Sequence, residues 1–300
     1  MSTDTTAIDR INDLGAVFQR TKYLLISYPA LMLGVFVVIP IGILFVVSFF
    51  QNIEGGFYEP ALTLENYARF FGSELYRGRV LYTLRLAALV SAITLVVGYP
   101  IAYYISRLSS RLWRRIYIST IISTLFLTFI IRAFAWQVLL ESDSVVPTIA
   151  AAIGIMDEAS SLVPSYFALV VSMVYVFLPF MVITLYVTLK DIDRSLIEAS
   201  RDLGAGPITT FIRVTLPLSK NGVISGVLLV FTLSLGIFVL PRILANPPEW
   251  TIAVLVGEQV GVEGNVPFGA AISVIILTTV LIMFAIGGYL MDTDSEVTDA

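Results

Sequence analysis

Long uncharged apolar blocks alternate with shorter polar segments along almost the whole chain. Six of the blocks reach the length of a membrane-spanning helix, which needs about 20 predominantly apolar residues. In lipid every backbone N–H and C=O group must be paired internally, so helices rather than open sheets fit these blocks. The sequence therefore predicts an all-α polytopic membrane protein with six transmembrane helices, within Tyr28–Phe50, Leu86–Ser106, Ile116–Leu140, Ala159–Leu189, Asn221–Pro241 and Gly264–Met291.

The composition agrees with a chain that is largely immersed in lipid. Of its 300 residues, 57% are hydrophobic and only 13% are charged, whereas a soluble domain carries about 25% charged residues. The chain contains no histidine and no cysteine, which excludes disulfides, thiolate sites and the commonest general base and metal ligand. Its net charge of −4 disfavours nucleic-acid binding, which usually requires a basic surface.

The distribution of lysine and arginine over the loops predicts the orientation of the spans. With a cytoplasmic N-terminus, twelve of these residues lie on the inner side and three, Arg69, Arg77 and Arg79, on the outer side. Both termini are therefore predicted to lie in the cytoplasm. The expected organisation is a cytoplasmic N-terminal segment, a transmembrane domain and a cytoplasmic tail, which cover residues 1–27, 28–290 and 291–300.

Three arginines lie in or beside the predicted spans: Arg85, Arg132 and Arg242. An ionisable residue at membrane depth is a candidate functional residue, here for a gate or for contact with an anion. A structural explanation also fits, in which Arg85 and Arg242 extend to the outer interface. Arg132 would then pair with Glu141 or with backbone carbonyl groups.

Aromatic rings and carboxylates are the groups that would bind an organic cation on its way through the membrane. The candidates for such a solute pathway lie in the third and fourth spans and at their outer edge: Trp136, Glu141, Asp143 and Tyr175. The alternative for each aromatic residue is an ordinary position in the belt of Trp and Tyr side chains at the membrane interface.

The loop of residues 190–220 is the longest inner loop and has a regular pattern. Apolar and small residues at helical spacing predict a first helix over Asp193–Leu203, and Gly204 or Gly206 can end it. Pro207 suits the first turn of a second helix. A pair of helices with a glycine break fits a cytoplasmic docking element, and a hairpin that only joins two spans is the alternative.

The same loop contains Glu198-Ala199-Ser200, then Gly204 after three residues, and Val214-Thr215-Leu216-Pro217 after nine more. This arrangement resembles the EAA loop of bacterial ABC importer permeases, whose pattern is E-A-A-x3-G-x9-I-x-L-P. Ser200 and Val214 are the two departures from it, and both are close in size to the family residue. In that family the loop forms a coupling helix that rests in a groove of the ATPase. The resemblance implies a docking role for Glu198, Ala199, Ser200, Arg201, Asp202, Gly204, Leu216 and Pro217.

Other segments, among them LENYARFF, VVGYPIAYYISRL and FLPFMVITLYVTL, resemble permease subunits of the spermidine/putrescine type over nearly all of residues 28–290. The resemblance implies an ABC type I importer-like fold in the bacterial inner membrane. It also implies three kinds of partner, namely a paralogous second permease subunit, two ATPase subunits and a periplasmic binding protein. Because the chain lacks the pattern G-x4-G-K-[ST], ATP and magnesium are expected in the partner subunits, with no cofactor or metal on this chain.

Three alternatives to a polyamine permease stay open from the sequence. The same architecture could import another small solute, such as an amino acid derivative, an opine or a ferric ion. A secondary transporter or channel would work alone, but the six predicted spans contain no Asp or Glu for ion coupling. A membrane enzyme would have to act without histidine, cysteine or an intramembrane carboxylate pair. The sequence thus favours a non-catalytic permease subunit of an ATP-driven importer.

Overall fold

A computed structural model of the chain describes residues 27–29, 31–53, 58–155 and 158–298. The predicted N-terminal segment, residues 1–27, lies outside the described residues apart from its last one. The described helices are α1 Ser27–Val47, α2 Glu65–Gly72, α3 Glu74–Arg107, α4 Arg111–Leu125, α5 Phe129–Leu140, α6 Val145–Ala152, α7 Tyr166–Asp191, α8 Arg194–Asp202, α9 Pro207–Leu218, α10 Lys220–Leu235, α11 Val239–Leu244, α12 Ile252–Gly261 and α13 Val266–Thr298.

Four of these helices, α1, α3, α7 and α13, are long and apolar enough to cross a membrane alone. Two bent pairs of helices are each long and apolar enough together for one further span: α4 meets the α5–α6 segment at 95°, and α9 meets α10 at 67°. With each bent pair taken as one span, the described part of the chain crosses the membrane up to six times. The predicted all-α polytopic fold is therefore confirmed.

Helices α3, α7 and α10 pack against one another and form the centre of the fold. Their buried faces carry the apolar side chains of the main core, including Val90, Ala102, Met173, Phe177 and Val230. In the most apolar window of α7, 56% of the residues are buried, against 6% in α1. Helix α7 is thus central, while α1 lies at the periphery of the chain.

Two glycines one helical turn apart allow α10 to approach α7 closely. A Cβ atom at Gly222 would lie 2.5 Å from Oγ1 of Thr188, and one at Gly226 would lie 2.8 Å from Sδ of Met181. Helices in lipid gain little from the hydrophobic effect between them, so their association depends on such close backbone approach and on van der Waals contact. The small-x3-small spacing therefore fixes how two central helices fit together.

The third predicted span, Ile116–Leu140, is wrong as one continuous helix. The chain leaves α4 three residues before α5 begins, and neither Gly nor Pro lies in the break. Thr128 caps α5 because its hydroxyl accepts the N–H of Ile131 at 3.4 Å. Arg132 donates to the carbonyl of Thr124 in the last turn of α4. The side chains of Thr128 and Arg132 therefore form hydrogen bonds with backbone groups at the two helix ends, which would be costly to leave unpaired inside an apolar segment.

The ends of two other spans also differ from the prediction. The fifth span was expected over Asn221–Pro241, but α10 stops before Gly236, and the separate helix α11 packs against α5 and α7. The second span was expected over Leu86–Ser106, but α3 begins at Glu74. A run of apolar residues indicates only the part of a helix that lies in lipid. It therefore does not predict the polar first turns of α3.

Candidate functional site

The loop between α7 and α10 folds into the two predicted helices, α8 and α9, and local sequence fixes both ends of α8. Asp193 begins α8, because its carboxylate accepts the N–H of Ser195 at 2.9 Å. This bond holds the pKa of Asp193 below its usual value. Gly204 follows the end of α8 with a φ of +86°, a conformation that other residues rarely adopt.

Helix α9 is attached to the end of α3 by aromatic and polar contacts. Phe211 lies edge-on to Tyr99 and Tyr103, with ring centroids 5.4 Å and 6.0 Å apart. The hydroxyl groups of Tyr99 and Ser219 form a hydrogen bond of 2.7 Å at the bend between α9 and α10. The loop is thus connected directly to two of the three central helices.

Helices α8 and α9 enclose an open, mainly apolar groove of about 620 Å³. The hydroxyl oxygens of Ser200 and Thr210 lie 3.0 Å apart and join the two helices. Leu203 at the groove is 89% exposed, and an exposed apolar surface of this kind is typical of a protein-binding site. The lining residues, which define the docking groove, are Leu196, Ala199, Ser200, Leu203, Ala205, Thr209, Arg213, Val214, Pro217 and Leu218.

The eight residues with a predicted docking role divide into three groups. Three of them line the docking groove itself: Ala199, Ser200 and Pro217. Two lie on the other face of α8, where they line a charged cleft: Glu198 and Arg201. The remaining three are exposed near the ends of α8 and α9: Asp202, Gly204 and Leu216. The structure therefore brings three of the small and apolar members of the motif together in one surface, while Gly204 and Leu216 lie outside it.

The candidates for the solute pathway separate into two aromatic residues and two carboxylates. The rings of Trp136 and Tyr175 are T-shaped with centroids 5.6 Å apart. Tyr175 also lines a mainly apolar cavity of about 160 Å³ between α3, α4 and α7, which contains Arg132 and no carboxylate. Glu141 and Asp143 are exposed at the end of α5 and just beyond it. The aromatic pair is therefore next to a buried cation rather than to an anion.

Arg132 is almost completely buried, with an exposed fraction of 4%. Its Nη1 atom donates to the carbonyl of Val176 in α7 at 3.3 Å, and Nη2 donates to the carbonyl of Thr124 in α4. Its guanidinium carbon lies 5.9 Å from the ring centroid of Phe129. Pairing with backbone carbonyl groups, one of the sequence-based explanations, is confirmed, and Arg132 joins the broken third span to α7.

The other two arginines differ from each other in their surroundings. Arg85 is exposed on α3. Arg242 at the end of α11 forms an ion pair with Glu258 of α12, with Nη1 and Oε1 2.5 Å apart. Its guanidinium carbon also lies 4.4 Å from the ring centroid of Trp250, a cation–π contact. Arg242 therefore joins α11 to α12 and to the turn between them.

Known permease proteins resemble this chain in sequence, and solved ABC transporters resemble it in fold. The spermidine/putrescine transport system permease protein PotB of Haemophilus influenzae is 30% identical over 239 residues, which cover 80% of this chain and 83% of that protein. PotB of Escherichia coli strain K12 is 29% identical over 242 residues, 81% of this chain and 87% of that protein. A solved bacterial alginate ABC transporter, in complex with a periplasmic protein that binds an alginate pentasaccharide, has a TM-score of 0.72 at 16% identity, over 93% of this chain and 96% of that chain.

The sequence model of one transport family covers most of the described helices. The family, described as binding-protein-dependent transport system inner membrane component, matches residues 94–292, from the middle of α3 into α13. The match includes α8, α9 and the docking groove between them. The chain therefore belongs to the binding-protein-dependent transport system inner membrane component family and is a non-catalytic, multi-pass permease subunit of an ABC importer.

Proposed function

We propose that this permease imports polyamines such as spermidine and putrescine. The observation that carries the proposal is its 30% identity to a spermidine/putrescine permease over 80% of the chain. The alginate transporter supports the fold alone, because it is only 16% identical to this chain. Its cargo is an acidic polysaccharide, whereas polyamines are cations. The same fold thus accommodates cargo of opposite charge, and the sequence relationship favours polyamines.

The proposed assembly contains a paralogous second permease subunit, two ATPase subunits and a periplasmic binding protein. The excess of lysine and arginine in the loops on the side of α8 and α9 supports a cytoplasmic location for these helices and for both termini. ATP and magnesium bind to the ATPase subunits, and this chain holds no cofactor. The permease pair encloses the solute path, of which this chain forms one half.

The docking groove is the proposed contact with one ATPase subunit. Its apolar lining suits a complementary apolar surface, and Ala199 and Ser200 are small enough for a close approach. Phe211 and Ser219 connect α9 to α3 and α10, so a displacement of α9 would move two central helices together. This chain of contacts is the proposed route by which closure of the ATPase reaches the solute path.

The substrate is tested with the complete assembly, reconstituted with its binding protein in lipid vesicles. We expect spermidine or putrescine, added with the binding protein, to stimulate ATP hydrolysis and to accumulate inside the vesicles. An amino acid derivative, an opine and ferric ion serve as comparison solutes. Stimulation by one of these, without any response to polyamines, would overturn the proposed cargo and leave the assignment as an ABC importer permease intact.

Gly204→Leu is expected to reduce ATP-driven uptake by about tenfold without preventing assembly. A side chain at a φ of +86° costs about 1–2 kcal/mol, so the break between α8 and α9 should rearrange. Gly206→Leu is the matched control, because Gly206 has a φ of −69° and open space around its Cβ position. Uptake and co-purification of the subunits are measured for both variants. Equal uptake by the two variants would contradict a role for the Gly204 conformation.

Ala199→Glu is expected to weaken association with the ATPase by about tenfold or more. The new carboxylate would have to be desolvated against an apolar groove, which costs at least about 2 kcal/mol. Ser109→Glu adds the same charge at an exposed position in the turn between α3 and α4, on the same side of the protein but outside the groove. The ratio of ATPase to permease after purification is the measurement. A ratio that falls equally in both variants would argue against docking at the groove.

A further inference from the structure

The last turn of α3 and one face of α8 form a charged cleft of about 360 Å³. The four residues of α8 that line it are spaced i, i+3, i+4 and i+7, so they share one face of the helix. Two residues at the end of α3 form the opposite side. The lining residues, which define the arginine cleft, are Tyr103, Arg107, Arg194, Ile197, Glu198 and Arg201.

Three arginines line this cleft, and only one carboxylate is among the lining residues. None of the three arginines forms an ion pair within the described part of the chain. Arg194 donates through Nη2 to the backbone carbonyl of Arg107 at 3.4 Å, which links the start of α8 to the last residue of α3. The guanidinium carbon of Arg107 lies 5.5 Å from the ring centroid of Tyr103, but its Nε and Nη2 atoms are buried without a hydrogen-bond partner among the described residues. Like charges that line one cleft repel one another, and an anion between them offsets this repulsion.

The arginine cleft and the docking groove lie on opposite faces of α8. The groove takes Leu196, Ala199, Ser200 and Leu203 from this helix, and the cleft takes Arg194, Ile197, Glu198 and Arg201. The first set is mainly apolar, whereas the second is mainly charged. The two faces differ in chemistry, so the charged face suits a different kind of ligand from the apolar surface expected at the groove.

The surroundings of the cleft are typical of the membrane interface. Arg107 is the last residue of α3, a helix of membrane-spanning length. Exposed aromatic residues lie nearby, on the last turns of α3 and the first turns of α4. The ring centroid of Tyr117 lies 6.1 Å from that of Tyr104 in α3 and 6.3 Å from that of Trp113 in α4. Exposed Trp and Tyr side chains together with arginines occur at the depth of lipid headgroups. A ligand at this depth is more readily supplied by the bilayer than by the cytosol.

We propose that the arginine cleft binds the phosphate group of an anionic phospholipid of the inner leaflet. Guanidinium groups bind phosphate oxygens through paired, charge-assisted hydrogen bonds, and basic pockets on the cytoplasmic side of membrane proteins bind such headgroups. The bound phosphate bridges the end of α3 and helix α8. It thereby stabilises the orientation of α8, on whose opposite face the docking groove lies. The site depends on the cytoplasmic orientation of α8 and not on the transported solute.

The test compares lipids with identical acyl chains on the full-length chain, purified alone and in its complete assembly. Native mass spectrometry measures retention of dioleoyl-phosphatidylglycerol and dioleoyl-phosphatidylcholine. We expect preferential retention of phosphatidylglycerol, reduced about tenfold by Arg107→Gln and by Arg201→Gln, because each removes a charge-assisted hydrogen bond. Arg201 is exposed, so its variant carries the test if Arg107→Gln does not fold. Glu198→Gln removes the only carboxylate of the lining and is expected to increase retention.

Arg115→Gln is the matched control, since Arg115 is an exposed arginine of α4 outside the cleft. Equal losses in the Arg115, Arg107 and Arg201 variants would show only a general attraction to basic surface and would overturn the site. Displacement of the lipid by millimolar inorganic phosphate would assign the cleft to a soluble anion and overturn the lipid assignment. Loss of the lipid when the ATPase subunits assemble would assign the cleft to a protein partner, with the same consequence.

Discussion

Replacing Gly222 with leucine is expected to separate α10 from α7 and to prevent the central helices from packing. A Cβ atom at this position would lie 2.5 Å from Oγ1 and 2.7 Å from Cβ of Thr188, so the contact involves the stem of a β-branched side chain rather than a flexible end. Overpacking of a well-packed interior costs about 1–3 kcal/mol, and the added side chain beyond Cβ raises that cost further. The variant should therefore unfold at a markedly lower temperature than the unmodified protein.

Gly42→Leu is the control for Gly222→Leu, because Gly42 lies in the membrane-spanning helix α1 with no atom within 4 Å of its Cβ position. Both variants add the same side chain to a glycine in an apolar helix. Thermal unfolding in detergent, followed by tryptophan fluorescence, and the yield of monodisperse protein are the measurements. Similar unfolding temperatures for the two variants would contradict the role of close approach at Gly222.

The features that the sequence predicts well depend on residues close together in the chain. A membrane span is visible because about 20 apolar residues must follow one another. The ends of α8 were predictable for a similar reason, since Asp193 caps the helix from two residues away and Gly204 directly follows its C-terminal turn. The second helix of the loop begins as expected at Pro207, whose fixed φ suits a first turn.

The features that the sequence did not predict depend on contacts between distant residues. The break in the third span contains no glycine or proline, and it is held by Arg132, whose second partner is the carbonyl of Val176, 44 residues away. The spacing of Thr124, Thr128 and Arg132 was the available signal, because three polar residues recur every four positions in an apolar block. The arginine cleft was also missed, since it forms only when α8 lies beside the end of α3.

The candidate solute pathway shows the same limit on sequence-based reasoning. The sequence predicts one solute pathway from Trp136, Tyr175 and two carboxylates, because all four residues lie in or near consecutive spans. The break turns the outer half of the third span away from its inner half, so Glu141 and Asp143 follow α5 and stay exposed. The direction of a helix after a break cannot be derived from hydrophobicity, because apolar length is the same for straight and bent spans.

Arg132→Met is expected to release the 95° bend between α4 and the α5–α6 segment while changing the free energy of unfolding by only about 2 kcal/mol. Two opposing effects explain the small net change. The variant loses two charge-assisted hydrogen bonds, each worth about 1.5–3 kcal/mol. It also avoids the cost of burying a guanidinium, which is about 2.5–3.5 kcal/mol at the centre of a membrane helix. The second effect offsets much of the first and leaves a net loss of about 2 kcal/mol, but the connection from α5 to α4 and α7 is lost.

The bend is measurable because the chain contains no cysteine, so spin labels attach only where cysteines are introduced. Ser119→Cys in α4 and Val138→Cys in α5 place labels on exposed positions on either side of the break. The distance distribution between them should broaden with Arg132→Met and recover in part with Arg132→Lys, whose ammonium can reach one carbonyl. Arg85→Met, a change of an exposed arginine in α3, should leave it unaltered. An unchanged distribution in Arg132→Met would show that packing alone fixes the bend, and the two backbone hydrogen bonds would then have no directing role.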